Sequence, residues 1–499
     1  MESRFEQIDP DSPHHACDTV VFRINMTHYK SLACRVLRHL GVRPNSARIE
    51  EILSAVDQEI LIPGNVKVVV QALDASRNAL FRCFRNHYGS AVIAKLLTLK
   101  VLNLCMTKHH FLSRSTSLIS RPFGLIVDPT KVCNLACPGC VHSNVAKEHA
   151  LFQWKPGTLS VDRSAHFLEQ YGPYAIQIMF YNYGEPLLNP DAPKFIRRAK
   201  SYLTQTMLST NMSVPRFDAE AYVESGLDYM ILSIDGATQA VYERFRKKGN
   251  IEVVYRNIAK LVEAKRRLGK RTPVLCWQYL AFEHNAHEVP LALERAGELG
   301  LDSFNLLTPF DVSWDDPGIQ PAEIGPFARH FNPDPERDMT DNWNPFPDDL
   351  DVRAIEREFE AGWVERLAHQ PKEDCEPVAA SEHTCRWLYK NITMDANGRI
   401  FPCCGAPGPS GDLIFSNFDA HEPQDPFNSE KYRRARKFFA DRNAYQRERE
   451  TRTGEGEPYC VDCQWSDGMA DIDSAQVAYY LRAAGQALFS AKCVAMLSV

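Results

Sequence analysis

Three cysteines, Cys133, Cys137 and Cys140, stand in the segment DPTKVCNLACPGCVHSN, separated by three and by two residues, just beyond a predicted strand. Loop cysteines at this spacing can converge on one metal centre. Three thiolates hold a four-iron cluster by three corners and leave one iron open to substrate or cofactor. A structural zinc site closes with four ligands, and apart from His142 no fourth Cys or His lies at short range. The sequence therefore points to a redox-active iron-sulfur centre with an open coordination position.

The elements around this motif have the order needed to position it. From Phe123 short β-rich runs (GLIVDP, IQIMFYNYGEP, MLSTN, YMILSIDG, VLCWQYLAF, SFNLLTP) alternate with helix-like stretches such as Ala192 to Leu203, Ala219 to Ser225, Ile251 to Leu268 and His287 to Leu299. About six strand-helix units imply a parallel sheet with right-handed crossovers, either doubly wound or curled into a partial barrel. Polar residues sit at the carboxyl ends of these strands, where such sheets build their sites. Before them, residues 46–110 carry apolar positions at helical spacing, and no chemical motif is readable there. After them, Asp311 to Glu376 is rich in Pro, Asp and Asn, which favours loops, and could cover the site. The expected division is 1–118 helical, 119–310 catalytic core, 311–380 connecting segment, 381–470 cysteine-rich domain and 471–499 C-terminal helix, with Ile472 to Leu488 helical. The fold class is α/β: a partial (β/α)6 TIM-like barrel with a helical N-terminal region and a small cysteine-rich C-terminal domain.

The bulk numbers restrict the function classes. At 499 residues, 44% hydrophobic and 24% charged, the chain has the composition of a soluble globular protein of two or three domains. A formal net charge of -6 argues against a nucleic-acid partner, since that affinity comes from phosphate neutralisation; the basic run Lys431 to Lys437 reads as a solvated helix face. The opening MESRFEQIDPDSPHHACDTV has no basic stretch followed by an apolar run, so no secretory signal is expected. Ala91 to Met106, interrupted by Lys95 and Lys100, is too short to span a bilayer and reads as a buried amphipathic helix. These features predict a cytoplasmic protein with reduced thiols among its fifteen cysteines. Cys17, Cys34, Cys83, Cys105, Cys276 and Cys493 are isolated in sequence and read as small buried or surface residues.

CNLACPGC resembles the CxxxCxxC motif of the radical S-adenosylmethionine (SAM) superfamily, and further features over some 180 residues resemble it too. Tyr183-Gly184-Glu185-Pro186 is similar to the motif whose backbone and acid hold the SAM amino group. Ser209-Thr210-Asn211 resembles the ribose-side strand end and Ser233-Ile234-Asp235-Gly236 the next one; Arg246, in YERFRKKGN, resembles the arginine that meets the SAM carboxylate. One departure is Gly139, where the family often has an aromatic residue. The resemblance implies that SAM chelates the open iron and is cleaved reductively to methionine and a 5'-deoxyadenosyl radical, inside a site enclosed against solvent. An electron donor such as flavodoxin or ferredoxin is implied as well.

Cys385, twelve residues, Gly398, four residues, Cys403, and then Cys460 and Cys463, resemble the SPASM domain of radical SAM maturases. TMDANGRIFPCC reads as a β-hairpin turning at Asn397-Gly398, bringing Cys385 and Cys403 close; FNSEKYRRARKFF resembles the helix that precedes the final cysteines. The further pair expected after Cys463 is missing, which implies one auxiliary 4Fe-4S cluster on Cys385, Cys403, Cys460 and Cys463, with a zinc site on the same thiolates as the alternative. Cys375 and Cys404 are left over, as inert buried thiols, swapped ligands or a catalytic thiol. The implied activity is a radical SAM oxidoreductase or maturase acting on a peptide or protein, with a sugar or aminocyclitol as the alternative substrate. A non-catalytic metal-binding scaffold and SAM-dependent methyl transfer are the rivals; the sheet shows no GxGxxG loop for the latter.

Overall fold

The computed structural model describes residues 114–140, 156–175, 177–309, 318–322, 350–359, 385–404, 414–418, 425–451 and 457–463, with isolated helical positions between 92 and 111 and the backbone of 7–8 and 329–331. Cys17, Cys34, Cys83, Cys105, His142, Cys375, Cys493, the expected helix at 472–488 and most of the N-terminal and connecting segments lie outside the described residues.

Six strands form the centre: β1 (Gly124–Val127), β2 (Gln177–Met179), β3 (Gln205–Thr210), β4 (Tyr229–Ser233), β5 (Val274–Leu280) and β6 (Ser303–Leu307). Each pairs in parallel with the next, so spatial order equals chain order. Right-handed crossovers that always step the same way put every connecting helix on one face, and there is no reversal of order to make a doubly wound sheet. Of the two expected arrangements, the partial barrel is the one found.

Side-chain alternation separates the two faces. Leu208, Leu232, Trp277 and Phe304 are fully buried in a core shared with Phe195, Tyr222, Ile258 and Ala292 of the helices. Ser209, Ser233, Gln278 and Asn305 are partly exposed on the opposite, concave face. The helices between the strands are α1 (Val161–Tyr171), α2 (Ala192–Lys200), α3 (Ala219–Glu224), α4 (Gln239–Phe245), α5 (Ile251–Leu268) and α6 (Val289–Glu298). Asn250 caps α5 by accepting from the Val253 amide, and Gly269, at φ +62°, stops it in the left-handed conformation that glycine adopts without strain.

The cysteine-rich segment extends the same sheet. β7 (Asn391–Met394) pairs in parallel with β1, from Gly124↔Asn391 to Val127↔Met394; β8 (Arg399–Phe401) folds back on β7 and β9 (Ser416–Asn417) on β8. The hairpin turn falls where Asn397-Gly398 places it, with Gly398 at φ +85°. At the far edge Arg329–Phe331 pairs antiparallel with β6, and Gln7–Ile8 with that strand. The Pro/Asp-rich stretch thus contributes a strand and also a helix, α7 (Val352–Arg357), rather than loop alone. Its Ala354 and Ile355 are buried, and Asp351 caps it.

One reading of cationic residues changes. α8 (Glu430–Ala440) does not present its basic run wholly to water: Arg434 and Arg436 are buried. The Arg436 guanidinium packs on the rings of Phe427, Tyr432 and Tyr389 and donates to Leu388 O, Thr116 O and Phe427 O, so its charge is dispersed over carbonyls and π faces, and burial lowers its pKa to about 10. Lys100 is likewise buried and donates to the carbonyls of Gly172 and Ala175 behind α1. Among the described residues no helix is long and apolar enough to cross a membrane.

Candidate functional site

The loop after β1 carries Cys133, Cys137 and Cys140 and is pinned on both sides. The Ala136 amide donates to Lys247 O (3.1 Å), and Asn134 Nδ2 donates to Ser213 O (2.7 Å). Inside the loop the Cys140 amide donates to Cys137 O (3.3 Å) and the Leu135 amide to Cys133 Sγ (3.5 Å). Gly139 sits at φ +70°, a conformation that disfavours the aromatic side chain often found there in the family.

All three cysteine side chains enter one small apolar cluster with Leu135, Phe245, Phe282 and Ile319. Burial pushes Cys133 up to about 11 and Cys137 to about 12; the charge of Glu185 and then Cys140 adds to the rise at Cys133, the neighbouring thiols add to it at Cys137, and Arg246 opposes it at both. Metal binding must therefore displace protons from these thiols. Among the described residues no group of three or more Cys, His, Asp or Glu is drawn tightly enough around one point for a single metal ion. Three thiols packed on one apolar cluster are a donor set that fits three corners of a four-iron cluster.

The turn at 183–186 is pressed against this loop. The Glu185 amide donates to Val132 O (2.9 Å), and a Cβ at Gly184 would come within 1.8 Å of Thr130 O, so only glycine allows the approach. Glu185 is buried; its carboxylate accepts from the Leu187 amide (3.0 Å), Thr210 Oγ1 (2.6 Å) and the Asn211 amide (2.7 Å), tying the ends of β2 and β3 together. Burial raises its pKa, and those donors counter the rise. Asn211 Nδ2 donates to Asn134 Oδ1 (3.1 Å) and lies 3.9 Å from Cys133 Sγ, so the β3 end touches the cysteine loop directly.

On the concave face Ser209 Oγ and Ser233 Oγ share a hydrogen bond of 3.1 Å. Arg246 Nε donates to Asp235 Oδ2 (2.6 Å), and the other Asp235 oxygen accepts from the Leu280 amide. Burial alone would lower the arginine's pKa, but the Asp235 carboxylate outweighs it and holds the guanidinium above its ordinary value. Gly184, Glu185, Ser209, Asn211 and Ser233 thus stand at or beyond the carboxyl ends of β2, β3 and β4, and Arg246, at the end of α4, is held to the β4 end by Asp235.

The sequence reading passed over Asp128, the residue after β1. Its Oδ2 accepts from the Tyr183 amide (3.4 Å), and Oδ1 is buried without a partner. Burial, then the charge of Asp395, raises its pKa to about 7. A charged residue directly behind the apolar run GLIV was the available signal. The neighbouring Lys131 donates to Asp395 Oδ2 (3.1 Å) with both side chains fully buried, and Arg399 Nε donates to the same oxygen (2.8 Å). This joins the cysteine loop to the turn of the β7–β8 hairpin.

The second cysteine set comes together behind the Tyr183 side chain. Cys385 precedes the helical turn Trp387–Lys390, Cys403 follows β8, Cys460 lies within the turn Tyr459–Asp462 and Cys463 directly follows it. Burial, then the proximity of Cys385, Cys403 and Cys463, raises Cys460 well above the ordinary thiol range. Tyr183 packs with Phe401 and Tyr459, against which Cys463 rests. Cys460 thus lies within electrostatic reach of the three other thiols, a four-thiol donor set that is not drawn tightly around a single metal ion. Cys404 is exposed rather than buried, and Cys276 is buried on β5.

Residues 127–275 match the model of the Radical SAM superfamily. Pre-heme d1 synthase of Dinoroseobacter shibae is 29% identical over 178 residues, covering 36% of this chain and 41% of that protein. A probable GTP 3',8-cyclase of Methanococcus maripaludis is 26% identical over 181 residues, covering 36% of this chain and 56% of the relative. The chain thus spans about half the length of the curated relatives it matches. Among solved structures, Streptococcus suis SuiB bound to S-adenosylmethionine superposes with a TM-score of 0.41 at 15% identity, covering 74% of this chain and 77% of SuiB. The matched stretch opens at the last residue of β1 and closes inside β5, so it takes in the cysteine loop, the turn at Gly184 and Arg246; residues 127–275 match as a radical SAM domain.

Proposed function

We propose that this protein is a radical SAM oxidoreductase or maturase that removes hydrogen from a substrate, a peptide or protein in first place. The observation that carries the reading is the meeting of Cys133, Cys137 and Cys140 in one apolar cluster, beside Asn211 and within the field of Arg246. When bound, the cluster and SAM together supply an electron to the sulfonium and a 5'-deoxyadenosyl radical. The chain's own residues hold and orient. The turn at Gly184 and Glu185 takes the SAM amino group, Arg246 its carboxylate, and Ser209, Asn211 and Ser233 the ribose side. The apolar walls Phe245, Phe282 and Ile319 keep water from the thiolates.

Cys385, Cys403, Cys460 and Cys463 hold one auxiliary 4Fe-4S cluster, as in a SPASM-like domain. The preference for a peptide rests on the resemblance of this architecture to peptide maturases, and a sugar or aminocyclitol is the alternative substrate. The protein acts in the cytoplasm with a flavodoxin or ferredoxin as its reductant.

Iron analysis and SAM affinity test the proposal. Anaerobically reconstituted protein should carry about eight irons, four per cubane. Replacing Cys133, Cys137 and Cys140 together by Ala should remove one cluster and spare the other. One cluster plus stoichiometric zinc would overturn the auxiliary cluster alone. Glu185→Ala and Arg246→Ala should each weaken SAM binding roughly ten- to hundredfold, as expected for a charge-assisted hydrogen bond; unchanged affinity in both would remove them from the site.

A further inference from the structure

Asp128 lies against the turn at 183–186, in a place where a carboxylate works against stability. Leu125 and Val127 of β1 enter the core and Ile126 does not, so alternation carries Asp128 to the concave face, the one on which Ser209 and Ser233 stand. The same alternation on β7, where Ile392 and Met394 are the core residues, carries Asp395 to that face beside it. Asp128 is fully buried: Oδ2 accepts from the Tyr183 amide (3.4 Å), the Gly184 amide bonds to the same carboxylate, and Oδ1 has no hydrogen-bond partner among the described residues. The charged groups around it are Asp395, which opposes its ionisation, and Lys131, which favours it, while Lys131 and Arg399 both donate to Asp395; the buried Tyr183 phenol also lies within its field. A buried oxygen left unpaired is a cost, so stability gives no reason for an acid at this position.

We propose that Asp128 is a positioning residue for SAM: its carboxylate holds the Tyr183 and Gly184 amides and thereby fixes the turn that takes the SAM amino group. The inference rests on the reading of Tyr183-Gly184-Glu185-Pro186 as that turn. A primary ammonium only donates hydrogen bonds, so a backbone that holds it must offer acceptors. The Tyr183 and Gly184 amides go to Asp128 and the Glu185 amide to Val132 O. Three successive donors are thus drawn towards the end of β1 and the cysteine loop, and the turn keeps carbonyl oxygens to offer. The charged form of the acid is the stronger acceptor, so the hold tightens as Asp128 ionises, around pH 7.

Equilibrium dialysis of SAM against cluster-loaded wild type, Asp128→Asn and Glu185→Ala at pH 6 and pH 8 tests this without turnover. Asp128→Asn keeps the shape and one acceptor oxygen but never becomes charged. Its SAM affinity should fall about fivefold or more below that of wild type at pH 8 and differ by less than about twofold at pH 6. Its iron content should equal that of wild type, and at pH 8 it should be at least as stable in urea, so that binding weakens while the fold does not. Equal SAM affinity at pH 8, an equal loss at both pH values, or a loss that comes with lower stability or less iron would each overturn the proposal. If Glu185→Ala weakens SAM binding and Asp128→Asn does not, only the role of Asp128 falls; unchanged affinity in both variants removes the turn from the SAM site and the inference with it.

Discussion

Gly184→Ala is the substitution for which the structure gives the most definite consequence. The added methyl would meet Thr130 O at 1.8 Å and its carbonyl carbon at 2.7 Å, both backbone atoms that cannot swing aside as a flexible side chain would. Opening that approach to the 3.0 Å that real contacts respect requires the turn and the loop to part by about 1.2 Å. The 2.9 Å bond from the Glu185 amide to Val132 O would then stretch to about 4 Å, beyond hydrogen-bonding range. Overpacking costs about 1–3 kcal/mol and the lost bond about 0.5–1.5 kcal/mol, so the docked arrangement loses about 2–4 kcal/mol. Because Val132 adjoins Cys133, the variant should show a lower iron content after reconstitution and SAM binding weakened at least tenfold, measured by iron assay and equilibrium dialysis. Gly269→Ala is the matched control: it also replaces a glycine, at φ +62°, but nothing lies within 4 Å, so only the left-handed strain of about 1–2 kcal/mol is expected, with iron and SAM unaffected. A Gly184→Ala protein that loads iron and binds SAM like wild type would refute the docking of turn on loop.

Asp128→Asn should make stability less dependent on pH. An acid whose folded pKa is raised to about 7 favours the native state while protonated and loses that advantage as pH climbs from the ordinary carboxylate range through 7; the variant should therefore be more stable than wild type at pH 8, by up to about 4 kcal/mol, and little changed at pH 4, in urea titrations at the two values. A variant no more stable at pH 8 than wild type would show that Asp128 ionises without penalty. Asp395→Ala leaves the buried Lys131 ammonium without its carboxylate and also strips Arg399 of its partner, for an expected loss of about 3–5 kcal/mol in chemical denaturation. A loss under about 1 kcal/mol would mean that water enters the junction between loop and hairpin.

Much of the architecture was legible because it rests on local pattern. The six β-rich runs match the six parallel strands, and Ile251 to Leu268 matches α5, where Asn250 and Gly269 mark both ends. α1 escaped the pattern reading although Ser160 caps it by accepting from the Arg163 amide; the polar residues of VDRSAHFLEQY mask its apolar stripe of Phe167, Leu168 and Tyr171. Choosing the partial barrel over a doubly wound sheet needed the strand order, which no single segment carries. The site residues were readable by type and position, whereas their mutual bonds were not. Glu185 accepting from Thr210 and Asn211 depends on the parallel register of neighbouring strands, and Asp235 holding Arg246 on how α4 folds back over the end of β4. The burial of Arg436 was hidden for a similar reason: its ring partner Tyr389 and the Thr116 carbonyl come from distant segments of the chain.

The central claim is that Cys133, Cys137 and Cys140 make this chain a reductive SAM-cleaving enzyme. The most direct measurement is to reduce cluster-loaded protein with dithionite, add SAM and separate the nucleoside products by liquid chromatography. The account predicts 5'-deoxyadenosine even without the true substrate, lost when Cys133, Cys137 or Cys140 is replaced by Ala and retained when Cys385 or Cys460 is replaced in protein that still folds. A folded, iron-loaded sample yielding S-adenosylhomocysteine and no 5'-deoxyadenosine would contradict it and make methyl transfer the better reading.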